Sequence, residues 1–345
     1  MLTKLTIKNF KSFLNVSMEL GSRVVFVGPN NSGKTSALQA LALWEVGVKK
    51  WLEKRKHEIP AKRPGVTINR RDLIAVPVPV TNLLWRNLKT HQSGGSKSQS
   101  KSGTKKVYIE ILVEGVSNSK NWTFGLEFYY ANEESLYCRP MRRDDDSLME
   151  LPPEVGVPSI AYLGPMSGLA AHETRLDPGA IQVRLGEGRT AEVLRNLCNQ
   201  IYESEGGPGK WKGLTRQMET LFGIRLEDPN YIRERGEIEL RFQNREGISL
   251  DLSSSGRGQQ QTLLLLAHMT ANPGAILLLD EPEAHLEILR QRQIYQILSD
   301  TGTKTGSQIL AASHSEVVLN EAADRDIVIA FVGKPHRIDD RGSQV

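Results

Sequence analysis

Residues 28–35 read GPNNSGKT and satisfy the pattern G-x-x-x-x-G-K-[ST]. Such a loop binds phosphate because its backbone N–H groups and the next helix's N-terminus converge on one anion, and glycine permits close approach. In that role Asn30, Asn31, Ser32, Gly33 and Ser36 line the phosphate cradle. Lys34 meets the β- and γ-phosphates of ATP, and Thr35 offers its hydroxyl to Mg2+. The metal needs an acidic partner as well. Residues 275–279 form a short apolar run that leads directly into Asp280-Glu281-Pro282. Asp280, at the end of a buried strand, is placed to hold Mg2+ directly or through water. Glu281 points elsewhere and can polarise the attacking water as a general base.

Two further groups carry the same chemistry. DLSSSGRGQQQ, residues 251–261, opens an apolar helix with hydroxyls and glycine. Ser254, Ser255 and Gly256 therefore mark a second anion-binding helix N-terminus. Two such ends, separated by a long insertion, suggest ATP clasped between two copies of the chain. Ser313-His314-Ser315 follows SQILAAS, which puts His314 at the C-terminal end of a parallel strand, where ligands bind. There it can sense the γ-phosphate. His285, just past the acidic pair, can face the second copy.

The elements needed to position these groups are legible as an α/β pattern. Apolar alternation at Leu2, Leu5 and Ile7, then Val16, Met18 and Leu20, predicts two strands. The strand 24–27 enters the P-loop, and a helix leaves it, ending before Pro60 and Pro64. Residues 73–80, broken by Pro77 and Pro79, read as an edge strand or extended loop. VYIEILVEG, WTFGLEFYYA and SLYCRPM predict successive antiparallel strands, and residues 159–163 a short one. Helices are expected from Thr190 and from Trp211, split by GGPG at 206–209. The last third alternates again, with helix QQQTLLLLAHMTA, strand AILLL, helix LEILRQRQIYQILS, strand SQILAAS and strand DIVIAFV. The expected organisation is one discontinuous domain over 1–345. Its head spans about 1–75 and 249–345, a β-rich arm spans 76–189, and a helical segment spans 190–225.

The 345 residues are 39% hydrophobic and 24% charged, a soluble globular composition. No apolar run approaches the ~20 residues of a membrane span, and no signal peptide precedes the first strand. Cys138 and Cys198 fit neither a disulfide framework nor a zinc site, so a cytoplasmic location is expected. The net charge of +4 permits contact with nucleic acid without arguing for it. Residues 73–109 contain no acid but carry Arg86, Lys89, Lys97, Lys101, Lys105 and Lys106. The low-complexity part, 90–106, reads as a solvated disordered loop, or else as a basic arm touching phosphates. The acidic run at 144–146, flanked by Arg142 and Arg143, reads as solvated.

GPNNSGKTSALQAL, LSSSGRGQQQ, LLLDEPEAHLE and AASHS stand in the order of P-loop, signature, Walker B, D-loop and switch histidine. The chain thereby resembles the ABC-type ATPases. Its opening, LTIKNFKSFLNVSMEL, is similar to the RecF, SMC and OLD (overcoming lysogenization defect) branch, and DEPEAHL to the OLD type. The resemblance implies an ATPase head, a mixed sheet flanked by helices, with an inserted β-rich arm at 76–189 and a helical dimerisation element at 190–225. It implies a homodimer or higher homo-oligomer around ATP and Mg2+, with Glu281 and His314 catalytic. It also implies a TOPRIM nuclease, C-terminal to Val345 or in a partner, and a role in phage defence. An ATP-switched DNA-repair clamp of the RecF or SMC kind is the alternative. A transporter subunit is disfavoured, because the signature departs from Leu-Ser-Gly-Gly-Gln. The Q-loop glutamine has no clear counterpart; Arg70, Arg71 and Asp72 occupy that region.

Overall fold

Alternation at the N-terminus folds as expected. Strands β1 (Leu2–Phe10) and β2 (Phe13–Glu19) pair antiparallel, with Leu5 opposite Met18 and Ile7 opposite Val16 on the buried side. Strand β3 (Arg23–Val27) leads into helix α1 (Lys34–Arg55), and β4 (Val66–Asn69) follows. A two-residue ladder joins β5 (His91–Gln92) to β6 (Lys105–Lys106). Strands β7 (Ile109–Ser117), β8 (Lys120–Asn132) and β9 (Ser135–Pro140) complete an antiparallel sheet of order β2-β1-β7-β8-β9-β4. One face is apolar and covered by α1, whose Trp44 indole donates to the Phe124 carbonyl at 3.1 Å. The other is polar, with Lys4–Glu114, Lys8–Glu110 and Arg139–Glu127 ion pairs. Helix α1 is buried from Ala37 through Glu45 except at Gln39, as a helix covered on more than one side must be.

The structure, a computed structural model, describes residues 1–55, 65–92, 105–156, 159–170 and 172–338. They divide into two units, one of Met1–Ile160 with Asp326–Val345 and one of Ala161–Arg325. The second unit begins in strand β10 (Ile160–Leu163) and continues through helices α2 (Pro178–Gly186), α3 (Leu194–Glu203) and α4 (Gly207–Phe222). Short antiparallel strands β11 (Arg225–Leu226), β12 (Asn230–Ile232), β13 (Glu237–Glu239), β14 (Arg241–Gln243) and β15 (Ser249–Asp251) come next. Then come α5 (Arg257–Ala271), β16 (Ile276–Asp280), α6 (Ile288–Thr305), β17 (Gln308–Ser313) and α7 (Glu316–Ala323). Strands β16 and β17 are parallel, with Leu278 opposite Leu310 and Asp280 opposite Ala312. The chain then returns to the first unit as β18 (Ile327–Ala330), parallel to β3, and β19 (His336–Arg337), antiparallel to β18.

The core of the second unit gathers Leu194, Leu197 and Ile201 of α3, Trp211, Leu214 and Met218 of α4, and the leucines of α5. Helices α3 and α4 therefore spend their apolar faces on α5, and only their polar faces remain outward. Two local details differ from the sequence reading. Helix α2 lies inside the span read as β-rich, because Asp177-Pro178 makes a helix start with proline at the first position. Thr190–Glu192 is a single 3-10 turn, and the helix proper starts at Leu194. Residues 73–80, read as an edge strand or an extended loop, are the loop, as their two prolines remove ladder donors. Of the loop expected at 90–106, the ends pair as β5 and β6; residues 93–104, with Lys97 and Lys101, lie outside the described residues.

Candidate nucleotide-binding and hydrolysis residues

In the first unit the P-loop is built from backbone that only certain residues tolerate. Gly28 has φ +149°, Asn31 +63° and Gly33 +104°. A Cβ on Gly33 would sit 3.0 Å from Phe13 Cζ and Ser12 Oγ, and one on Gly28 would sit 2.9 Å from the Phe331 carbonyl oxygen. Asn30 and Asn31 are exposed, while Ser32, Thr35 and Ser36 are half-buried. Lys34 is 6% exposed, and its Nζ donates to the carbonyls of Gly28 at 2.7 Å and Pro29 at 2.9 Å. The ammonium is thus folded over its own loop, with amides and a buried cation collected at one helix N-terminus. Ser32 Oγ is buried and lacks a hydrogen-bond partner among the described residues. A buried hydroxyl left unsatisfied costs about 1–3 kcal/mol, so the cradle fits a polar ligand.

The hairpin joining β1 to β2 adds a residue that sequence reasoning missed. Asn9 and Lys11 both have positive φ, and Lys11 Nζ donates to Gln39 of α1 while lying 5.7 Å from the Phe10 ring centre. Burial lowers its pKa to about 8. The available signal was a lysine in NFKSF, but nothing in that string shows a hairpin tip turned toward α1.

In the second unit, the parallel pairing of β16 and β17 brings two strand ends together. Asp280 ends β16, 8% exposed, and accepts a hydrogen bond from Tyr162 of β10 at 3.3 Å. Burial and the neighbouring carboxylate raise the Tyr162 pKa, keeping the phenol a donor. The Glu281 amide donates to Ala312 O at 2.9 Å, and φ +50° at Glu281 turns its side chain off the strand line. Left-handed backbone at a non-glycine residue is a strain usually held at functional sites. The turn places Glu281 Oε1 3.3 Å from His314 Nδ1. The two candidate catalytic residues are therefore side by side.

The signature segment is a 3-10 turn, Leu252–Ser254, capped by Asp251. Asp251 Oδ1 accepts from Ser253 N at 2.8 Å, from Ser253 Oγ at 2.6 Å and from Arg195 Nη2 of α3 at 3.0 Å. Arg195 is 1% exposed, and the equally buried Glu173 lies 4.0 Å from its Nη1. Ser255 Oγ turns back to Leu252 O at 2.7 Å, whereas Ser254 is exposed and its hydroxyl has no partner among the described residues. Gly256 caps α5. A cleft of about 330 Å³ opens there, lined by Phe222, Gly256, Gln259, His285 and Arg290, with the Arg290 guanidinium 5.0 Å from the Phe222 ring centre. His285 is exposed, at φ +64°, and its Nε2 lies 3.3 Å from Met166 O.

Other candidates are engaged structurally. Arg70 pairs with Glu134, and Asp72 takes Lys50 at 3.2 Å and the Asn69 amide at 2.9 Å. Asp146 pairs with Arg142, and two hydrogen bonds from Ser147 hold the Asp145 carboxyl below the usual range. Among the described residues no three metal-ligating side chains cluster, and no helix is long and apolar enough to cross a membrane.

Known proteins match along the same lines. Residues 1–70 match the family described as "AAA ATPase domain", and residues 214–320 that described as "AAA domain, putative AbiEii toxin, Type IV TA system". An OLD nuclease of Thermus scotoductus is 23% identical over 92% of this chain and 59% of its own. The oligopeptide transport ATP-binding protein AppD of Bacillus subtilis is 33% identical over 21% of this chain, and the zinc import ATP-binding protein ZnuC of Hydrogenovibrio crunogenus 29% over 30%. The SMC head domain from Thermotoga maritima aligns over 98% of this chain and 99% of its own, with TM-score 0.50 and 16% identity. An SmcHead solved with the C-winged helix domain of ScpA aligns over 99% and 98%, with TM-score 0.54 and 12% identity. The chain has the fold of an ABC-type ATPase head, and in sequence it is similar to an OLD nuclease over most of its length. The chain spans 22%, 38% and 59% of the lengths of AppD, ZnuC and the OLD nuclease.

Proposed function

We propose that this ATPase binds Mg-ATP, hydrolyses it within a dimer of heads, and thereby controls a nuclease active in phage defence. The nuclease would be a TOPRIM domain, C-terminal to Val345 or in a partner. The observation that carries the hydrolytic part is the Glu281–His314 pair, 3.3 Å apart at the ends of two parallel strands. Asn30, Asn31, Ser32, Gly33 and Ser36 orient the phosphates through loop and helix amides, and Lys34 leaves its carbonyls for the β- and γ-oxygens. Thr35 and Asp280 would hold the magnesium, which when bound would offset the charge of the phosphates, and the Tyr162 hydroxyl holds the Asp280 carboxylate in place for it. Glu281 takes the proton of the attacking water, and His314, donating toward the γ-phosphate, also steadies Glu281.

The dimer part draws support from the second helix end. Ser254 is the one signature serine with its hydroxyl uncommitted, and the cleft at Gly256 faces solvent. Beside it Ile288 and Leu289 are 70% and 77% exposed, apolar surface of the kind that marks an interface. The nuclease and defence parts rest on the likeness to the OLD nuclease. Cytoplasmic action suits two buried thiols, with the Cys138 pKa pushed up to about 12.

Phosphate release from Mg-ATP tests the proposal, with Lys34→Ala as control. Release no faster than the control's would sink it. Glu281→Gln is expected to lower turnover at least ~100-fold while ATP remains bound. One observation favours the DNA-clamp reading. Arg86, Lys89, Lys105 and Lys106 have no ion-pair partner among the described residues, so they are available to phosphates. ATP-dependent, salt-sensitive DNA binding without any nuclease partner would favour it.

A further inference from the structure

Glu283 is 3% exposed, three residues beyond Asp280, and no step above uses it. Its Oε1 accepts the hydroxyl of Ser313, and its Oε2 is buried with no partner among the described residues. Ser313 is itself fully buried, and its Oγ also accepts the Ser315 amide at 3.0 Å. Ser315 caps α7, accepting from Val317 N at 3.1 Å and Val318 N at 3.2 Å. Its hydroxyl donates to Gln291 Oε1 at 2.7 Å, and Gln291 Nε2 donates to Leu286 O at 2.9 Å. The Leu286 amide then returns to Glu283 O at 3.1 Å. The circuit closes. Both neighbours of His314 are members of it, so the histidine backbone is clamped on either side while its half-exposed ring faces Glu281.

We propose that Glu283 is a positioning residue: through Ser313 it sets the approach of His314 to Glu281. Through Ser315 and Gln291, it also makes that approach sensitive to the loop at Leu286. An alternative packing role is disfavoured by the chemistry of the position. Burial pushes the Glu283 carboxyl pKa up, so the acid is held there at a cost that an apolar side chain of similar volume would avoid. The inference rests on the hydrolysis reading, but its geometry can be measured separately.

Four variants test it: Glu283→Ala, Glu283→Gln, Ser313→Ala and the Glu283→Ala/Ser313→Ala double. Glu283→Ala is expected to lower kcat about 10–100-fold, the scale of a slight misplacement of a catalytic group, with KM for ATP changed less than twofold. Glu283→Gln, whose Oε1 still accepts from Ser313, should recover most of the loss, and the double variant should be no worse than Glu283→Ala. Equal losses in the Ala and Gln variants, or KM rising in step with the fall in kcat, would overturn the proposal. The ring resonances of His314, assigned with His314→Ala, give a readout without turnover. They should move in Glu283→Ala and stay near wild type in Glu283→Gln. Unmoved resonances in Glu283→Ala reject the positioning role even if ATP is never hydrolysed, and moved ones support it in that case too.

Discussion

The roles proposed for Lys34, Thr35, Asp280 and Glu281 were readable as letters at fixed spacing, since phosphate and metal chemistry restrict which residues can serve there. Glu283 and Tyr162 were not, because a positioning role depends on what lies opposite after folding, and Ser313 is thirty residues from Glu283. Gly33 belongs to the readable class for a reason the structure sharpens. Its φ of +104° and the 3.0 Å approach to Phe13 and Ser12 leave no room for a methyl group. Gly33→Ala is expected to cost about 1–3 kcal/mol, seen as a lower unfolding midpoint together with weaker ATP binding by calorimetry. His268 of α5 shows the opposite case, a titratable residue with no catalytic task. Burial lowers its pKa to about 4. The unfolded chain takes up that proton below about pH 6.5 and the folded chain only near 4, so this stability is present above 6.5 and lost as pH falls. His268→Leu should flatten the pH dependence by about 2 kcal/mol between pH 7.5 and 5, measured by denaturant unfolding.

At the scale of elements, helices and strands with regular apolar spacing were recognisable, and the failures have local causes. Helix α2 carries too few apolar positions to show a period, and only its Asp-Pro start marks it. The stretch 73–80 is no failure: of the edge strand or extended loop read there it is the loop, because proline denies it a ladder. Helix α1 illustrates what packing adds. Gly47 lies mid-helix, where alanine would ordinarily gain about 1 kcal/mol. Here a Cβ would meet Leu126 Cδ1 at 2.5 Å and Phe128 at 3.1 Å, both fully buried on the sheet. Gly47→Val should therefore destabilise the first unit by about 1–3 kcal/mol through overpacking, read as a fall in melting temperature. If Gly47→Val melted higher, the close contact of α1 with β8 would be refuted. The signature loop has a similar hidden support, because Arg195 of α3 anchors Asp251 from beneath.

For the whole molecule, the proposed dimer makes the exposed pair at the start of α6 the decisive surface. With Glu281→Gln in place, Mg-ATP should shift the protein to dimer in sedimentation. Leu289→Asp should reduce that dimer at least ~10-fold, since burying an uncompensated carboxylate costs several kcal/mol, while ATP binding by the monomer persists. A dimer unaffected by Leu289→Asp would move the interface elsewhere, and the outward faces of α3 and α4 would come next. Sequence alone determined the proposed catalytic repertoire, because the P-loop, the acidic strand end and the serine-rich helix start are short local patterns read from residue type and spacing. Tertiary structure decided which of these groups lie together. The parallel register of β16 and β17 set Glu281 beside His314, the circuit through Ser313 and Gln291 clamped that histidine, and the packing of α3 on α5 tied Arg195 to the signature turn. Each of these depends on atoms tens of residues apart meeting within hydrogen-bond reach, and only the folded chain specifies that.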